Sequence, residues 1–462
     1  MNEQEEATKR GVVLKKINVS GFKSLEGFSL EFHTGLNVIV GPNGSGKTNI
    51  LSFLEFLSHL ARNRLLDAVS RSGGAGRIFR RSKTGALGRS LSFTIRGDGA
   101  FHSYRDEGKV AVFYEYSAEI QLRETSGSLT YGRQSLKISY EKPSAEWPEP
   151  SAEWPVEVEA ITDENESAKI LFSSSTLKKH LHDQFVPRKR GGSATEDKDA
   201  VEELVRRSCA TTPLYHVLER YIKGAGLLIS DLFGAQAFNI SPSAVRRTED
   251  IASEPLIEED GGGLAAVLFA LTRTRQSEDY WDDYRYQPRY RFHHADETFT
   301  KIIAYSKIVS DAIQDITVEP DTIENQLRIF VKVDYGDGSL KLPFSLVSDG
   351  TAKWFTLVTA IVTSRAVFAI EEPENFLHPL MQREIVRIVR EEFSSGFKDA
   401  FAVMTTHSET ILNSVDPDEM ILVHMEEGRS VAKRPENAVD VRAEIDRTGF
   451  GAGYYYLAGA IE

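Results

Sequence analysis

Gly41-Pro42-Asn43-Gly44-Ser45-Gly46-Lys47-Thr48 is the stretch of sequence that decides the fold of this chain. It fits the pattern G-x-x-x-x-G-K-[ST] in full. An apolar run at residues 36–40 precedes it, and a pattern with apolar residues on one helical face follows from about Thr48. Strand, glycine-rich turn and helix in this order predict a loop whose backbone N–H groups bind phosphate oxygens. The alternative is a glycine-rich strand–helix turn with an incidental lysine.

The predicted ligand of this loop is a nucleotide carrying Mg²⁺. We expect Lys47 to contact the β- and γ-phosphates and the Thr48 hydroxyl to hold the metal ion. The helix N-terminus adds positive potential at the same place. The residues predicted to bind the nucleotide here are Gly41, Asn43, Gly44, Ser45, Gly46, Lys47, Thr48 and Asn49.

A second motif, Ile370-Glu371-Glu372-Pro373-Glu374, ends another apolar run. Acids at the end of an apolar strand are costly unless they serve a cation or a water molecule. We expect Glu371 to hold Mg²⁺ through water and Glu372 to orient or deprotonate the attacking water. The first acid of such a motif is usually Asp, so the division of labour between the two stays open. The alternative is a charged strand end in solvent.

A third motif, Thr405-Thr406-His407-Ser408, follows the apolar run 400–404. Ligands of open α/β sheets bind at the carboxyl ends of strands, which is where His407 falls. We therefore predict that His407 contacts the γ-phosphate and senses its loss. On its own, a histidine at such a position would more often be structural.

The fourth motif, Leu346-Val347-Ser348-Asp349-Gly350-Thr351, opens a predicted helix. Ser348 and Gly350 at a helix N-terminus would form a second anion site. One chain would then carry two phosphate-binding helix ends, which favours a head-to-tail dimer with each nucleotide between Lys47 of one copy and Ser348 of the other. The alternative is simple capping of the helix by Ser348 or Asp349.

Composition restricts the class of protein. The chain has 462 residues, with 55 basic and 68 acidic side chains and a net charge of −13. Its single cysteine permits no intrachain disulfide and fits a reducing cytoplasm. The sequence contains no run of about 20 apolar residues, so it does not predict a membrane span. Apolar strands that alternate with helices predict an α/β fold with a mostly parallel sheet.

Charge and repeats suggest the domain boundaries. Residues 141–166 carry nine acids against one lysine, and the heptad 143–149 is echoed by 150–156, which predicts an exposed excursion. We expect an N-terminal part at 1–140, an insertion at 141–212 and a C-terminal part at 213–462. Residues 62–89 hold one acid and eight basic side chains, a candidate DNA surface: Arg62, Arg64, Arg71, Arg77, Arg80, Arg81, Lys83 and Arg89.

The four motifs in this order resemble the ABC-type ATPase heads of the SMC, RecF and overcoming-lysogenization-defect group, above all its stand-alone, AAA_21-like bacterial branch. The similarity extends to Gly21-Phe22-Lys23-Ser24-Leu25, to residues 261–271 and 371–379, and to residues 449–454. It covers about 11–135 and 215–460.

The resemblance implies an antiparallel β lobe beside the parallel sheet, ATP and Mg²⁺ as ligands, and ATP hydrolysis. Ser348 and Gly350 would form the signature, Glu372 would be catalytic and His407 the switch. It also implies a glutamine that joins the metal to the other lobe, for which Gln121 and Gln134 are weak candidates.

Three roles compete for such an ATPase. The first is a motor or sensor that forms a homodimer or higher homo-oligomer and acts beside a separately encoded effector, such as the nuclease of anti-phage systems like Septu and PARIS. The second is a DNA-binding repair or recombination ATPase like RecF. In that case residues 62–89, and the aromatic and arginine residues at 280–293, would contact DNA. The third, a transporter ATPase, is disfavoured because 301 residues separate Lys47 from Ser348.

Overall fold

Three β-sheets form the framework of the chain, which we describe from a computed structural model. The structure describes residues 11–82, 84–102, 109–123, 127–140, 156–163, 167–173, 208–219, 222–276, 295–334, 336, 338–364, 367–394 and 400–461. The strands are β1 (Gly11–Ser20), β2 (Phe28–Glu31), β3 (Gly35–Val40), β4 (Ser90–His102), β5 (Lys109–Leu122), β6 (Leu129–Tyr140), β7 (Val156–Thr162), β8 (Ala168–Phe172), β9 (Gln236–Phe238), β10 (Glu249–Asp250), β11 (Ile313–Asp321), β12 (Gln326–Asp334), β13 (Ser339–Pro343), β14 (Phe368–Glu371), β15 (Phe401–Thr405), β16 (Met420–Glu426) and β17 (Arg429–Lys433).

The helices connect and cover these sheets. They are α1 (Lys47–Arg62), α2 (Leu65–Arg71), α3 (Ala75–Ile78), α4 (Leu214–Leu218), α5 (Lys223–Phe233), α6 (Pro242–Val245), α7 (Leu264–Gln276), α8 (Ala295–Ser306), α9 (Asp349–Thr363), α10 (Pro379–Ser394), α11 (Glu409–Leu412), α12 (Ala438–Thr448) and α13 (Ala452–Leu457). Short 3₁₀ turns lie at Phe344–Leu346 and Pro417–Glu419.

The central six-stranded sheet has the order β17-β16-β3-β15-β14-β9 and is parallel except for the β16–β17 pair. Its central strands β3, β15 and β14 are buried almost throughout because both faces are covered. On β3, Ile39 belongs to the hydrophobic core shared with the N-terminal lobe, whereas Val38 and Val40 belong to the core shared with the helical side. This confirms the predicted mostly parallel α/β fold.

A seven-stranded antiparallel sheet, β2-β1-β4-β5-β6-β7-β8, forms the β lobe that the resemblance implied. Within the segment predicted as an insertion at 141–212, β7 pairs with β6 and β8 pairs with β7 in regular antiparallel register. Val158 and Ala160 of β7 are buried in the N-terminal core. This part of the acidic segment therefore continues the sheet. Residues 141–155, which contain the duplicated heptads except for Val156, and residues 174–207 lie outside the described residues.

The second core lies on the other face of the central sheet. There α7, α8, α9 and α10 pack with the small antiparallel sheet β10-β12-β11, to which β13 adds beside β12. β12 and β13 form an antiparallel hairpin, in whose turn Gly336 and Gly338 have φ angles of 96° and 125°. Among the described residues, no helix combines the length and the apolar character needed to cross a membrane.

Candidate functional site

Parallel register brings three of the predicted motifs to one edge of the central sheet. Ile39 of β3 lies beside Thr405 of β15, and Thr405 lies beside Glu371 of β14. The segments that follow these residues therefore leave the sheet at the same level. They enclose a cavity of about 190 Å³ whose lining is Asn43, Gly44, Gly46, Lys47, Thr48, Asn49, Glu371, Glu372, Thr405 and His407.

The glycine-rich loop has the geometry that its sequence predicts. Gly46 has a φ of 102°, and a Cβ at this position would overlap the Ser430 hydroxyl, so both conformation and space require glycine. Lys47 Nζ donates to the carbonyls of Gly41 at 2.9 Å and Pro42 at 3.2 Å, which places the ammonium inside the curve of the loop. Burial lowers the pKa of Lys47, and the charges of Glu372, Glu371 and Glu374 act in the opposite direction.

Hydrogen bonds that involve the side chains of Ser24, Asn49 and Ser430 support this loop. Ser430 Oγ on β17 donates to the Ser45 carbonyl at 2.8 Å and lies 2.6 Å from Ser24 Oγ. Asn49 Nδ2 donates to Ser24 Oγ at 2.7 Å. The sequence does not predict the role of Ser430, because this residue lies 385 residues from the loop it supports. For this set of hydrogen bonds, the signal in the sequence was Ser24, which lies within the stretch Gly21 to Leu25 that resembles the ATPase heads.

The two residues predicted to hold Mg²⁺ lie in contact. Thr48 Oγ1 donates to Glu371 Oε1 at 2.5 Å, and Asn239 Nδ2, just after β9, donates to Glu371 Oε2 at 3.2 Å. Hydroxyl and carboxylate oxygens are hard donors that bind Mg²⁺, so Thr48 and Glu371 fit the ion. Asn239 was not predicted; through its amide N–H it contacts the acid predicted to hold the metal, and the resemblance had implied a glutamine that joins the metal to the other lobe.

The two glutamines named for that role lie elsewhere. Gln134 is buried in the β lobe, where its amide donates to the Cys209 carbonyl at 2.7 Å and its carbonyl accepts from the Leu214 backbone at 2.7 Å. Gln121 donates to Glu119 on the same strand. Neither side chain lines the nucleotide cavity, so neither candidate is supported, and Gln134 instead fixes α4 to the β lobe.

Glu372 sits in a strained backbone conformation at the mouth of the cavity. Its φ is 43°, which is unusual for a residue with a side chain and occurs more often at functional sites. Its N–H donates to the Thr405 carbonyl at 3.0 Å, so strand β15 holds it in this conformation. One carboxylate oxygen lies 3.9 Å from His407 Nε2. The predicted catalytic acid and the predicted switch histidine thus face each other.

Glu374 joins the loop after β14 to the loop after β15. One of its oxygens accepts hydrogen bonds from Thr406 Oγ1 at 2.9 Å and from the His407 backbone N–H at 2.8 Å. Its other oxygen is buried and has no hydrogen-bond partner among the residues that the structure describes. Glu374 therefore connects the loop that carries Glu372 to the backbone of His407.

The side chain of Lys353 is a second buried ammonium group near Glu372 and Glu374. It lies on α9, is 1% exposed, and points its Nζ to within 5.9 Å of the Phe376 ring centroid. Burial lowers its pKa from 10.5 to about 8, while Glu374 and Glu372 act in the opposite direction. Sequence analysis missed this residue, since a lysine five positions into a helix gives no sign of being buried.

Ser348 and Gly350 are not part of the cavity. Ser348 caps α9, because its hydroxyl accepts a hydrogen bond from the Thr351 N–H at 3.2 Å. Asp349 forms an ion pair with Arg246, which also donates to the Val347 carbonyl. Within one chain the fourth motif therefore caps its helix, as the simpler interpretation predicted, and its exposed N-terminus lies apart from Lys47.

The basic residues of 62–89 lie in different environments. Arg62 donates to the Phe233 carbonyl and stacks on that ring, Arg80 pairs with Glu26, and Arg81 donates to the carbonyls of Gly85 and Gly76. Arg71 and Arg77 instead line a cavity of about 180 Å³ together with Lys23. Lys83 and the residues at 280–293 lie outside the described part of the chain.

The glycine-rich loop, the paired acids after a parallel strand, the histidine and the antiparallel lobe define an ABC-type P-loop ATPase head. The chain matches the AAA_21 family, described as "AAA domain, putative AbiEii toxin, Type IV TA system", over residues 36–413. This match covers most of the chain, which therefore belongs to that family and is an SMC/RecF-like member of the ABC ATPases.

Curated relatives align over short segments. The DNA replication and repair protein RecF of Lactococcus lactis subsp. cremoris is 44% identical over 45 residues, which are 10% of this chain and 12% of RecF. The Septu protein PtuA of Bacillus thuringiensis is 38% identical over 61 residues, 13% of this chain and 15% of PtuA. The chain thus aligns with less than a fifth of either relative.

Among solved structures, an SMC head bound to the C-winged helix domain of ScpA superimposes with a TM-score of 0.46. The identity is 14%, and the match covers 91% of this chain and 97% of that one.

The depressed pKa of Lys353 makes stability depend on pH in a definite direction. The unfolded chain keeps this proton up to about pH 10.5, whereas the native chain loses it near pH 8. The unfolded state binds more protons between these values, so the free energy of unfolding rises with pH there. Relative to Lys353→Met, the wild-type free energy of unfolding should gain about 1–2 kcal/mol between pH 7.5 and 9.5.

Urea unfolding at the two pH values measures this difference. Lys332→Met, at an exposed position on β12, serves as the matched control. A wild-type minus Lys353→Met difference that stays constant or falls as the pH rises contradicts the assignment of a buried, charged Lys353.

Proposed function

We propose that the chain binds ATP with Mg²⁺ and hydrolyses it. The observation that carries this proposal is the convergence of Lys47, Thr48, Glu371, Glu372 and His407 on one cavity at the carboxyl edge of a parallel sheet. Three carboxylates, Glu371, Glu372 and Glu374, act on the Lys47 ammonium, so the site carries both the cation for phosphate and the acids for a metal and a water.

Each residue has a role that its position supports. The loop N–H groups and Lys47 bind the phosphates. Thr48 and Glu371 would hold Mg²⁺, which neutralises phosphate charge when it is bound. Glu372 orients a water and accepts its proton, and its strained backbone fixes the carboxylate near His407. His407 contacts the terminal phosphate and passes its loss to Glu374 through the backbone N–H.

The hydrolysing unit is a head-to-tail dimer. At the N-terminus of α9, Ser348 is exposed and Gly350 is half-buried, and neither lines the cavity of its own chain, so this helix end is available to close the cavity of a second copy. The positive end of this 15-residue helix would then face the phosphates bound at Lys47 of the partner. In this arrangement nucleotide and dimer stabilise each other.

The finer role we propose is a motor or sensor that works with a separately encoded effector, such as a nuclease, in anti-phage defence. The similarity to PtuA over 61 residues supports it. Its check is whether the product of an adjacent gene co-purifies with the chain. Failure of every neighbouring product to bind, with or without ATP, contradicts this role and leaves the ATPase proposal intact.

A second candidate function, DNA binding of the RecF type, is favoured by one cavity. Lys23, Arg71 and Arg77 line it together with Ser52, Ser72 and one acid, Glu55. Three cations that converge suit a phosphodiester backbone. Since Arg62, Arg80 and Arg81 are engaged within the chain, the surface is smaller than the sequence alone indicated.

Lys47→Ala should abolish ATP binding, because the phosphates lose the ammonium that the loop encloses. Wild-type protein with Mg²⁺ and ATP should bind nucleotide in calorimetry and approach twice the monomer mass in light scattering, whereas the variant should do neither. Lys341→Ala, an exposed lysine on β13, is the control. ATP affinity that survives in Lys47→Ala refutes the phosphate loop, and ATP binding without a change of mass refutes the dimer.

If DNA is bound, Arg71→Glu with Arg77→Glu should weaken binding and lower the salt slope by roughly two units, one for each lost contact. Fluorescence anisotropy on duplex DNA, with and without ATP, measures both quantities. Arg328→Glu with Lys341→Glu makes the same charge change elsewhere. Equal loss in both double variants, or no binding at low salt with ATP, removes the DNA surface.

A further inference from the structure

Three side chains outside the nucleotide cavity converge where α1 meets the loop before α7. Glu55 and His59 lie one turn apart on α1, and Glu259 lies in that loop. Each offers one donor atom, and the three atoms all lie within 4.8 Å of one another. In the part of the chain that the structure describes, no other group of three His, Cys, Asp or Glu side chains has this spacing.

The distances are those of ligands around a shared ion. His59 Nε2 lies 3.6 Å from Glu55 Oε1 and 3.9 Å from Glu259 Oε1. Both separations exceed the roughly 3.2 Å limit of a good N–H···O hydrogen bond. Two ligands about 2.1 Å from one ion lie roughly 3.4–4.2 Å apart, depending on the angle between them. The imidazole therefore faces two carboxylates at a spacing that an ion would fill.

We propose that Glu55, His59 and Glu259 bind a divalent transition-metal ion of the Zn²⁺ or Mn²⁺ class. One imidazole and two carboxylates are a common ligand set for such ions, and the histidine disfavours Mg²⁺. The Glu and His at positions i and i+4 present their donors on one face of the helix. The Glu259 side chain is 44% exposed, so ions have access and water completes the coordination.

The position of the site links two parts of the nucleotide cavity. Helix α1 begins at Lys47, and the Glu259 carbonyl accepts a hydrogen bond from the Asn239 N–H at 2.8 Å. Asn239 in turn contacts Glu371. A metal ion between α1 and Glu259 would fix the Asn239 loop relative to the phosphate loop.

A charge network without an ion is the competing interpretation. Burial raises the pKa of Glu259, and a side-chain hydrogen bond links its carboxyl group to that of Glu55. Lys23 also acts on Glu55 and Arg62 on Glu259, so a shared proton and two positive charges could stabilise the cluster without a metal ion. In that case the cluster would discriminate poorly between cations and would bind none of them with defined stoichiometry. Metal titration separates the two interpretations.

The test is a titration of the full, nucleotide-free chain with Co²⁺ and with Zn²⁺ in the presence of excess Mg²⁺. Visible absorption of Co²⁺ and calorimetry of Zn²⁺ should each report one site, with Zn²⁺ displacing Co²⁺. His59→Ala and Glu259→Gln should each weaken binding at least tenfold, about 1.4 kcal/mol. Glu259→Gln keeps size and exposure, so it tests the site even if His59→Ala disturbs the packing of α1.

Two controls locate the site. His424→Ala removes an exposed histidine that pairs with Glu426, and Glu371→Gln alters the nucleotide cavity, so both variants should retain wild-type Zn²⁺ affinity. The proposal is overturned if the wild-type chain binds neither ion with defined stoichiometry. It is also overturned if His59→Ala and Glu259→Gln bind as tightly as wild type, or if Glu371→Gln alone removes binding.

Discussion

The parallel pairing of β3, β15 and β14 is the constraint on which the site depends. This register sets Ile39, Thr405 and Glu371 side by side, so the phosphate loop, His407 and Glu372 leave the sheet together. A slip of one residue in either pair would turn a strand's side chains to the opposite face and separate the loops. Cores on both faces oppose such a slip, because alternate residues of each strand are buried in different clusters.

Charge is concentrated where these strands end. Glu371, Glu372 and Glu374 lie within three residues of one another, and the buried ammonium groups of Lys47 and Lys353 approach them from two helices. Neither lysine forms an ion pair within 4 Å in the described residues, since Lys47 donates to loop carbonyls and Lys353 faces an aromatic ring. Acids and lysines kept apart in this way suit a ligand that carries both phosphate and a metal ion.

Much of this arrangement could be predicted from sequence because its signals are local. A glycine-rich loop between an apolar strand and a helix fixes its own geometry, and so does an apolar run that ends in acids. The remaining parts depend on distant contacts. Ser430 reaches the loop across 385 residues, and Asn239 follows a strand of only three residues. Strand β7 joins a sheet although two acids, Glu157 and Glu159, lie on its less buried face. Ser348 gave an ambiguous pattern, because capping and anion binding use the same side chain.

The most direct test of the account is ATP hydrolysis by Glu372→Gln compared with Glu371→Gln and with Glu384→Gln, an acid on α10 that pairs with Arg387. The amide in Glu372→Gln keeps size and hydrogen bonding but cannot accept a proton. This variant should therefore bind Mg²⁺ and ATP like wild type and hydrolyse about 10²–10⁴-fold more slowly. Glu371→Gln should lose Mg²⁺-dependent binding, and Glu384→Gln should behave as wild type. Wild-type hydrolysis in Glu372→Gln together with its loss in Glu371→Gln would reverse the two acids, and full activity in both would contradict the site.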